Sequence, residues 1–164
     1  MNWQTRPIEI ANLLNPAFYS LILRESVVGF ENKDKTGISY ALILLIPSLV
    51  LHKKTRNLLP KTHSTSFGQW LTRNEVVKIG FADRTKQLIP YTKEAILFGD
   101  YHGVLKIDDI SGKFLSTKKK FVQPSSWLSD STPKESLDKA RLVGRWFAEI
   151  GDPVTIYRAL GIRP

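Results

Sequence analysis

The sequence predicts a mainly α protein with a small β-hairpin: a winged helix-turn-helix-like core with additional N- and C-terminal helices. Three observations predict this class. Helix-start signals recur along the chain at Asn15-Pro16, Ser66-x-x-Gln69, Thr132-Pro133-Lys134-Glu135 and Asp152-Pro153. Each sets a capping oxygen before a residue suited to the first helical turn. Strand-like runs are confined to residues 104–107 and 113–115, which flank the turn Asp108-Asp109-Ile110-Ser111-Gly112. Three short helices over residues 67–101 precede this hairpin, and that is the element order of a winged unit. The 164 residues read as one domain. Residues 1–60 form N-terminal helices, 66–120 the winged-helix-like unit and 132–164 the C-terminal helices.

Taken in order, Asn15 caps a helix whose apolar positions Phe18, Leu21, Ile22 and Val28 share one face, with Gly29 near its end. Residues 39–46 read as a second, largely buried helix that Pro47 kinks or ends, since proline lacks the amide donor. A short basic segment, 53–59, stops at Pro60. The box at Ser66 and Gln69 starts a short helix carrying Phe67, Trp70 and Leu71. Residues 74–88 read as the next helix, with Val76, Val77, Ile79, Gly80 and Phe81 as its apolar content. Pro90 opens a third, ending near Tyr101, with Ile96 and Leu97 inside and Lys93 and Glu94 outside. After the hairpin, residues 123–131 are a Ser-rich loop.

The helix expected over 133–150, which ends before Gly151, has an unusually narrow polar stripe: Asp138, Arg141, Arg145 and Glu149. Spacing pairs Asp138 with Arg141 and Arg145 with Glu149. Leu137, Ala140, Gly144, Phe147 and Ala148 make one apolar face, which Leu142, Val143, Trp146 and Ile150 broaden to most of the circumference. A helix this apolar is covered on more than one side. It lies in the middle of the domain, or part of it is covered by another subunit. A final short helix begins at Asp152-Pro153 and ends at Gly161.

The chain carries 24 Lys and Arg against 15 Asp and Glu, a net charge of +9, and no cysteine. The missing cysteine excludes disulfides, Cys-ligated zinc and thiol chemistry. The positive charge permits nucleic acid or an acidic protein as partner. It divides almost evenly, +5 over residues 1–82 and +4 over 83–164. The N-terminal residues lack a signal-peptide pattern, and the most apolar run, 38–51, is shorter than the roughly 20 residues that cross a bilayer. The expectation is a soluble cytoplasmic protein with no membrane association.

No catalytic constellation is legible. His52, His63 and His102 have no metal-ligand spacing, the glycines form no phosphate-binding loop, and there is no nucleophile elbow. The reading is not an enzyme, with no cofactor and no metal. DNA-reading winged helices present Lys, Arg, Asn or Gln on the third helix. Here Lys93 is set against Glu94 and Asp100, and the wing tip holds Asp108 and Asp109, which phosphates repel. A winged unit used for protein contact fits better. Two basic clusters remain as DNA-contact candidates: Lys53, Lys54, Arg56 and Lys61, and Lys118, Lys119 and Lys120.

Five segments together carry a family resemblance. They are Arg6-Pro7-Ile8-Glu9-Ile10-Ala11-Asn12-Leu13-Leu14-Asn15-Pro16-Ala17-Phe18; Leu51-His52-Lys53 with Thr55-Arg56 and Leu59-Pro60; Gly80-Phe81-Ala82-Asp83-Arg84; Pro90-Tyr91-Thr92-Lys93-Glu94-Ala95-Ile96-Leu97-Phe98-Gly99; and Gly144-Arg145-Trp146-Phe147-Ala148 with the closing Ile156-Tyr157-Arg158-Ala159-Leu160-Gly161-Ile162-Arg163-Pro164. With these, the chain resembles the middle component of bacterial three-component ABC systems; the Lamassu type is close in organisation. The resemblance implies a non-catalytic adaptor subunit. It would be encoded beside an SMC-like ABC ATPase and an effector, in a hetero-complex defending against phage and plasmids. Double-stranded DNA would be reached through the complex. The resemblance brings no catalytic residues. Protein-contact candidates are Arg6, Glu9, Asn12 and Asn15 in the N-terminal segment, and Arg145 and Trp146 on the long C-terminal helix. The alternative is a winged-helix DNA-binding protein, either a regulator or a nonspecific DNA-binding module.

Overall fold

The computed structural model describes residues 14–121 and 131–162. Eight α-helices and one hairpin are described. Helix α1 spans Pro16–Glu31; Asn15 caps it, its Oδ1 accepting from the Ala17 amide at 2.9 Å. Then come α2 (Tyr40–Ile43), α3 (Ile46–Val50), α4 (Lys53–Leu58) and α5 (Phe67–Arg73). A 3₁₀ turn, Glu75–Lys78, leads to α6 (Phe81–Tyr101). Strands β1 (Leu105–Ile107) and β2 (Phe114–Ser116) follow, then α7 (Ser131–Ile150) and α8 (Pro153–Ala159). Among the described residues no helix is long and apolar enough to cross a membrane.

Of the four predicted caps, Thr132 is not one: α7 already begins at Ser131, so Thr132 and Pro133 lie inside its first turn. The other three hold, their bonds being local. Ser66 and Gln69 form the reciprocal capping box of α5. Asp152 accepts from the amides of Val154 and Thr155 to start α8. Gly151, at φ +76°, takes the left-handed turn that ends α7.

Three element boundaries differ from the expectation. The helix expected over 39–46 is two short ones. Residues 44 and 45 turn between them, and Pro47 lies in the first turn of α3, where an amide donor has no helical partner to lose. The helix expected over 74–88 is a 3₁₀ turn, then Gly80 at φ +64°, then α6. Pro90 opens nothing, since α6 runs straight through it. The carbonyl of Lys86 loses its helical donor there, and both residues are exposed, so solvent reaches that carbonyl. The expected loop 123–131 falls almost wholly outside the described residues.

The hairpin is antiparallel, with Leu105 opposite Ser116 and Ile107 opposite Phe114. Asp108 builds its turn, Oδ2 accepting from the Ser111 amide at 2.9 Å, with Gly112 at φ +65°. The Ser111 hydroxyl, donating to the same Oδ2, and then this amide bond hold the Asp108 carboxyl below its ordinary pKa. Ile38 makes an isolated bridge to Phe114, through amide–carbonyl bonds of 3.0 and 2.9 Å. Glu31, at the end of α1, accepts from the amide and hydroxyl of Ser116. The hairpin is thereby tied to α1.

One apolar cluster gathers side chains from Leu14 to Leu160, and α7 runs through it. On one side α7 crosses α1 backbone to backbone. A Cβ on Gly29 would lie 1.9 Å from the Arg141 carbonyl oxygen, and one on Gly144 would lie 1.8 Å from that of Ser26. The reciprocal pairs 26 with 144 and 29 with 141 make the crossing antiparallel. On the other side α7 meets an aromatic cluster. Trp146 packs 5.3 Å from Trp70 and 5.7 Å from Phe67, and Phe147 edges onto Phe67 at 5.8 Å. Leu142, Val143 and Trp146 are buried within the chain. Of the two arrangements the sequence leaves open for this helix, the described structure has it in the middle.

Candidate interaction surfaces

The sequence-predicted residues scatter over several sites. Arg6, Glu9 and Asn12 lie outside the described residues. Asn15 is exposed, and its side chain serves as the α1 cap. Arg145 is half-buried and pairs with Glu149 at 3.2 Å, as its spacing predicts. Asp138, however, pairs with Lys134 at 3.0 Å, not with Arg141. The Arg141 guanidinium instead grips Glu25 of α1 through Nε at 2.9 Å and Nη2 at 2.5 Å, closing the edge of the glycine crossing. Trp146 is fully buried, its indole N–H donating to the Thr65 carbonyl at 2.8 Å. A side chain with no solvent-facing surface holds the core, and what α7 turns outward is its polar stripe.

The first basic cluster is divided by the fold. Arg56 is buried; its Nη1 donates to the Val50 carbonyl at 3.0 Å and its Nε is 3.9 Å from the Glu135 carboxylate. It caps the end of α3 instead of facing outward. Lys53 and Lys54 are exposed at the start of α4. Lys61 is exposed beside Lys134 and Lys139, along a concavity that Glu135 and Asp138 also line. Lys139, which the sequence gives no reason to bury, donates to the carbonyls of Leu59 and Pro60 at 2.8 Å each. Burial lowers its pKa.

The second cluster stays together. Lys118, Lys119 and Lys120 are all exposed, just after β2. Lys119 Nζ donates to the His102 carbonyl at 2.9 Å, and Arg24 of α1 points Nη2 at the Lys119 carbonyl at 3.4 Å. The Arg24 and Lys119 cations also lie 5.1 and 5.8 Å from the Phe121 ring centre. Arg24, His102 and Phe121 are neighbours that sequence spacing did not reveal.

A further surface is apolar, and it includes Leu97, which the sequence places inside. Leu97 of α6 is 70% exposed, and Tyr101, one turn on, is 86% exposed. Ile96, next to Leu97, is buried as expected. Ile110, at the hairpin tip, is 97% exposed. Val76 and Ile79, counted as apolar content of a helix, are 61% and 74% exposed. They sit in and just after the 3₁₀ turn, whose three-residue period does not carry them to the face a helix would bury. Single exposed apolar residues are ordinary; pairs on one helical face and on a hairpin tip suit contact with another protein. The i, i+4 spacing of Leu97 and Tyr101 was the available signal, and it reads equally well as an inward face.

Among the described residues no group of three or more His, Asp or Glu could hold a metal ion. The buried hydroxyls are used in packing: Tyr19 meets Thr92 at 2.8 Å and Ser48 meets Thr85 at 2.8 Å. Burial holds the Tyr19 phenol protonated, well above the usual tyrosine range. The His52 ring nitrogen Nδ1 lies 2.8 Å from the Thr55 hydroxyl, and the same nitrogen accepts from the Thr55 amide as the cap of α4.

A family model described as the ABC-three component (ABC-3C) system Middle Component 3 matches residues 3–164. No curated protein and no solved structure matches the chain.

Proposed function

The chain belongs to the middle component 3 family of ABC-three component systems, and on that premise we propose that it is a non-catalytic adaptor. It bridges an SMC-like ABC ATPase and an effector in a cytoplasmic anti-phage and anti-plasmid complex. The observation that carries this reading is the outer face of α6 and the hairpin tip. Leu97, Tyr101 and Ile110 are exposed on the elements that DNA-reading winged helices load with polar and basic groups.

The winged unit is part of this proposal, with its order redrawn. The Ile38–Phe114 bridge supports α1 as the first helix, Ile38 as the short first strand, α2 with α3 as the second helix, α6 as the third and the hairpin as the wing. The unit drawn from sequence over 66–120 then extends back to residue 16, with α4, α5 and the 3₁₀ turn as an insertion. Against this frame, Leu97 and Tyr101 lie on the third helix.

The test is co-expression with the ATPase and effector encoded beside the chain. Both are expected to co-purify with it, and separate elution overturns the adaptor reading. The double variant Leu97→Glu, Tyr101→Glu is expected to lower capture of one component at least tenfold.

One observation favours a second reading. Lys118, Lys119 and Lys120 are exposed together and could follow a phosphate backbone without reading bases. Duplex binding by the isolated chain at low salt, lost on replacing the three lysines with Gln, would select it. No binding at low salt removes it.

A further inference from the structure

Two concavities, of about 250 and 470 Å³, meet at His52 and Arg84. Leu58, Val76 and Ile79 form the apolar wall of the smaller one; Leu14, Leu88 and Tyr91 line the larger. Among the described lining residues the charged ones are Lys54 and Arg84, and none of the described ones is a carboxylate. Of the neighbouring acids, Glu75 is 3.8 Å from Lys78 and Asp83 is an exposed residue in the first turn of α6. Arg84 has spare donor capacity. Its Nε and Nη2 reach the carbonyls of Ser48 and Val77 only at 3.4 Å, the long end of hydrogen-bond range. The potential here is positive by a second sign: the His52 pKa is lowered by burial and then by the Arg84 and Lys54 cations.

We propose that these joined concavities are a docking groove for an extended acidic, apolar segment of one of the two partner proteins. Apolar side chains of that segment cover Val76, Ile79 and Leu58. Its carboxylates meet Lys54 and the unsaturated Arg84 guanidinium, where charge-assisted bonds are strong. The complementarity is specific to such a segment. An acidic chain without apolar residues leaves the aliphatic wall wet, and a neutral apolar one leaves Arg84 without a counter-charge. A phosphate backbone matches the cations but not the aliphatic wall.

This inference rests on the adaptor reading, and the experiment separates the two. The chain is co-expressed with the ATPase and effector encoded beside it, and capture is quantified with and without nuclease treatment of the lysate for wild type, Ile79→Glu and Lys54→Glu,Ile79→Glu. Both changed residues are exposed, so melting temperatures are measured as a control and are expected to stay within about 2 °C. The expected result is that the double variant loses at least tenfold in capture of one component and retains the other. A photo-crosslinking residue at position 79 then marks an acidic segment of the lost component. Equal capture by wild type and variants overturns the groove and leaves the adaptor reading standing. Capture that disappears with nuclease assigns the groove to nucleic acid and overturns it. A wild-type chain that captures neither component overturns both readings.

Discussion

Helices α6 and α7 have 21 and 20 residues, and they treat their apolar residues in opposite ways. In α7, Leu142, Val143, Trp146 and Phe147 are all buried, because α1 covers one side and α5 with α3 the other. In α6 the covered side faces α1 and α3, and Leu97 and Tyr101 are left in solvent. Apolar content alone therefore does not tell a helix covered on two sides from one that leaves apolar residues in solvent. What tells them apart is how many sides other elements cover.

Three substitutions test this contrast. The largest effect is expected at Trp146, the central ring of the aromatic cluster. Trp146→Ala should cost about 3–5 kcal/mol through the cavity it leaves and lower Tm by roughly 10 °C, read by thermal or urea unfolding. A loss under about 1 kcal/mol would mean that α7 is not held as tightly as its burial indicates. Gly144→Ala comes next. Its methyl group meets the Ser26 carbonyl of α1, a backbone atom that cannot rotate aside, so α1 and α7 must separate. Overpacking of this kind costs about 1–3 kcal/mol, and an unchanged urea midpoint would contradict the close crossing. The smallest effect is expected on α6. Leu97→Glu should change stability by no more than about 0.5 kcal/mol while weakening capture of a partner. A loss of 2 kcal/mol or more would place Leu97 in a core and erase the contrast between the two helices.

Much of the framework was legible because its determinants are local. Asn15, the Ser66–Gln69 box, Asp152 and Gly151 act within four residues of themselves, so reading order and structure agree. The hairpin was legible for the same reason, since Asp108 and Gly112 make the turn without outside help. The interaction surfaces were much less so. Val76 and Ile79 read as apolar content of an α-helix because the pattern suggests one; the 3₁₀ turn, the extended Ile79 and the left-handed Gly80 break that segment. Arg56 read as a surface cation within a basic run. The carbonyl ends it satisfies, at Val50 and Leu51, become visible only when α3 and α4 fold against each other.

By itself the sequence determined the helical class, the hairpin, most of the cap residues and the family, through local hydrogen bonding and residue patterns spread over most of the chain. It also placed two basic clusters, at 53–61 and 118–120, on a charge otherwise divided almost evenly along the chain. Only the tertiary structure decided which apolar residues face inward, which cations are buried and where Ile38 joins the hairpin. It also brought Gly29 and Gly144, 115 positions apart in the numbering, into one backbone crossing. Those outcomes depend on which distant segments cover which face. That coverage is a property of packing across the whole chain, and a periodicity of three or four residues carries no record of it.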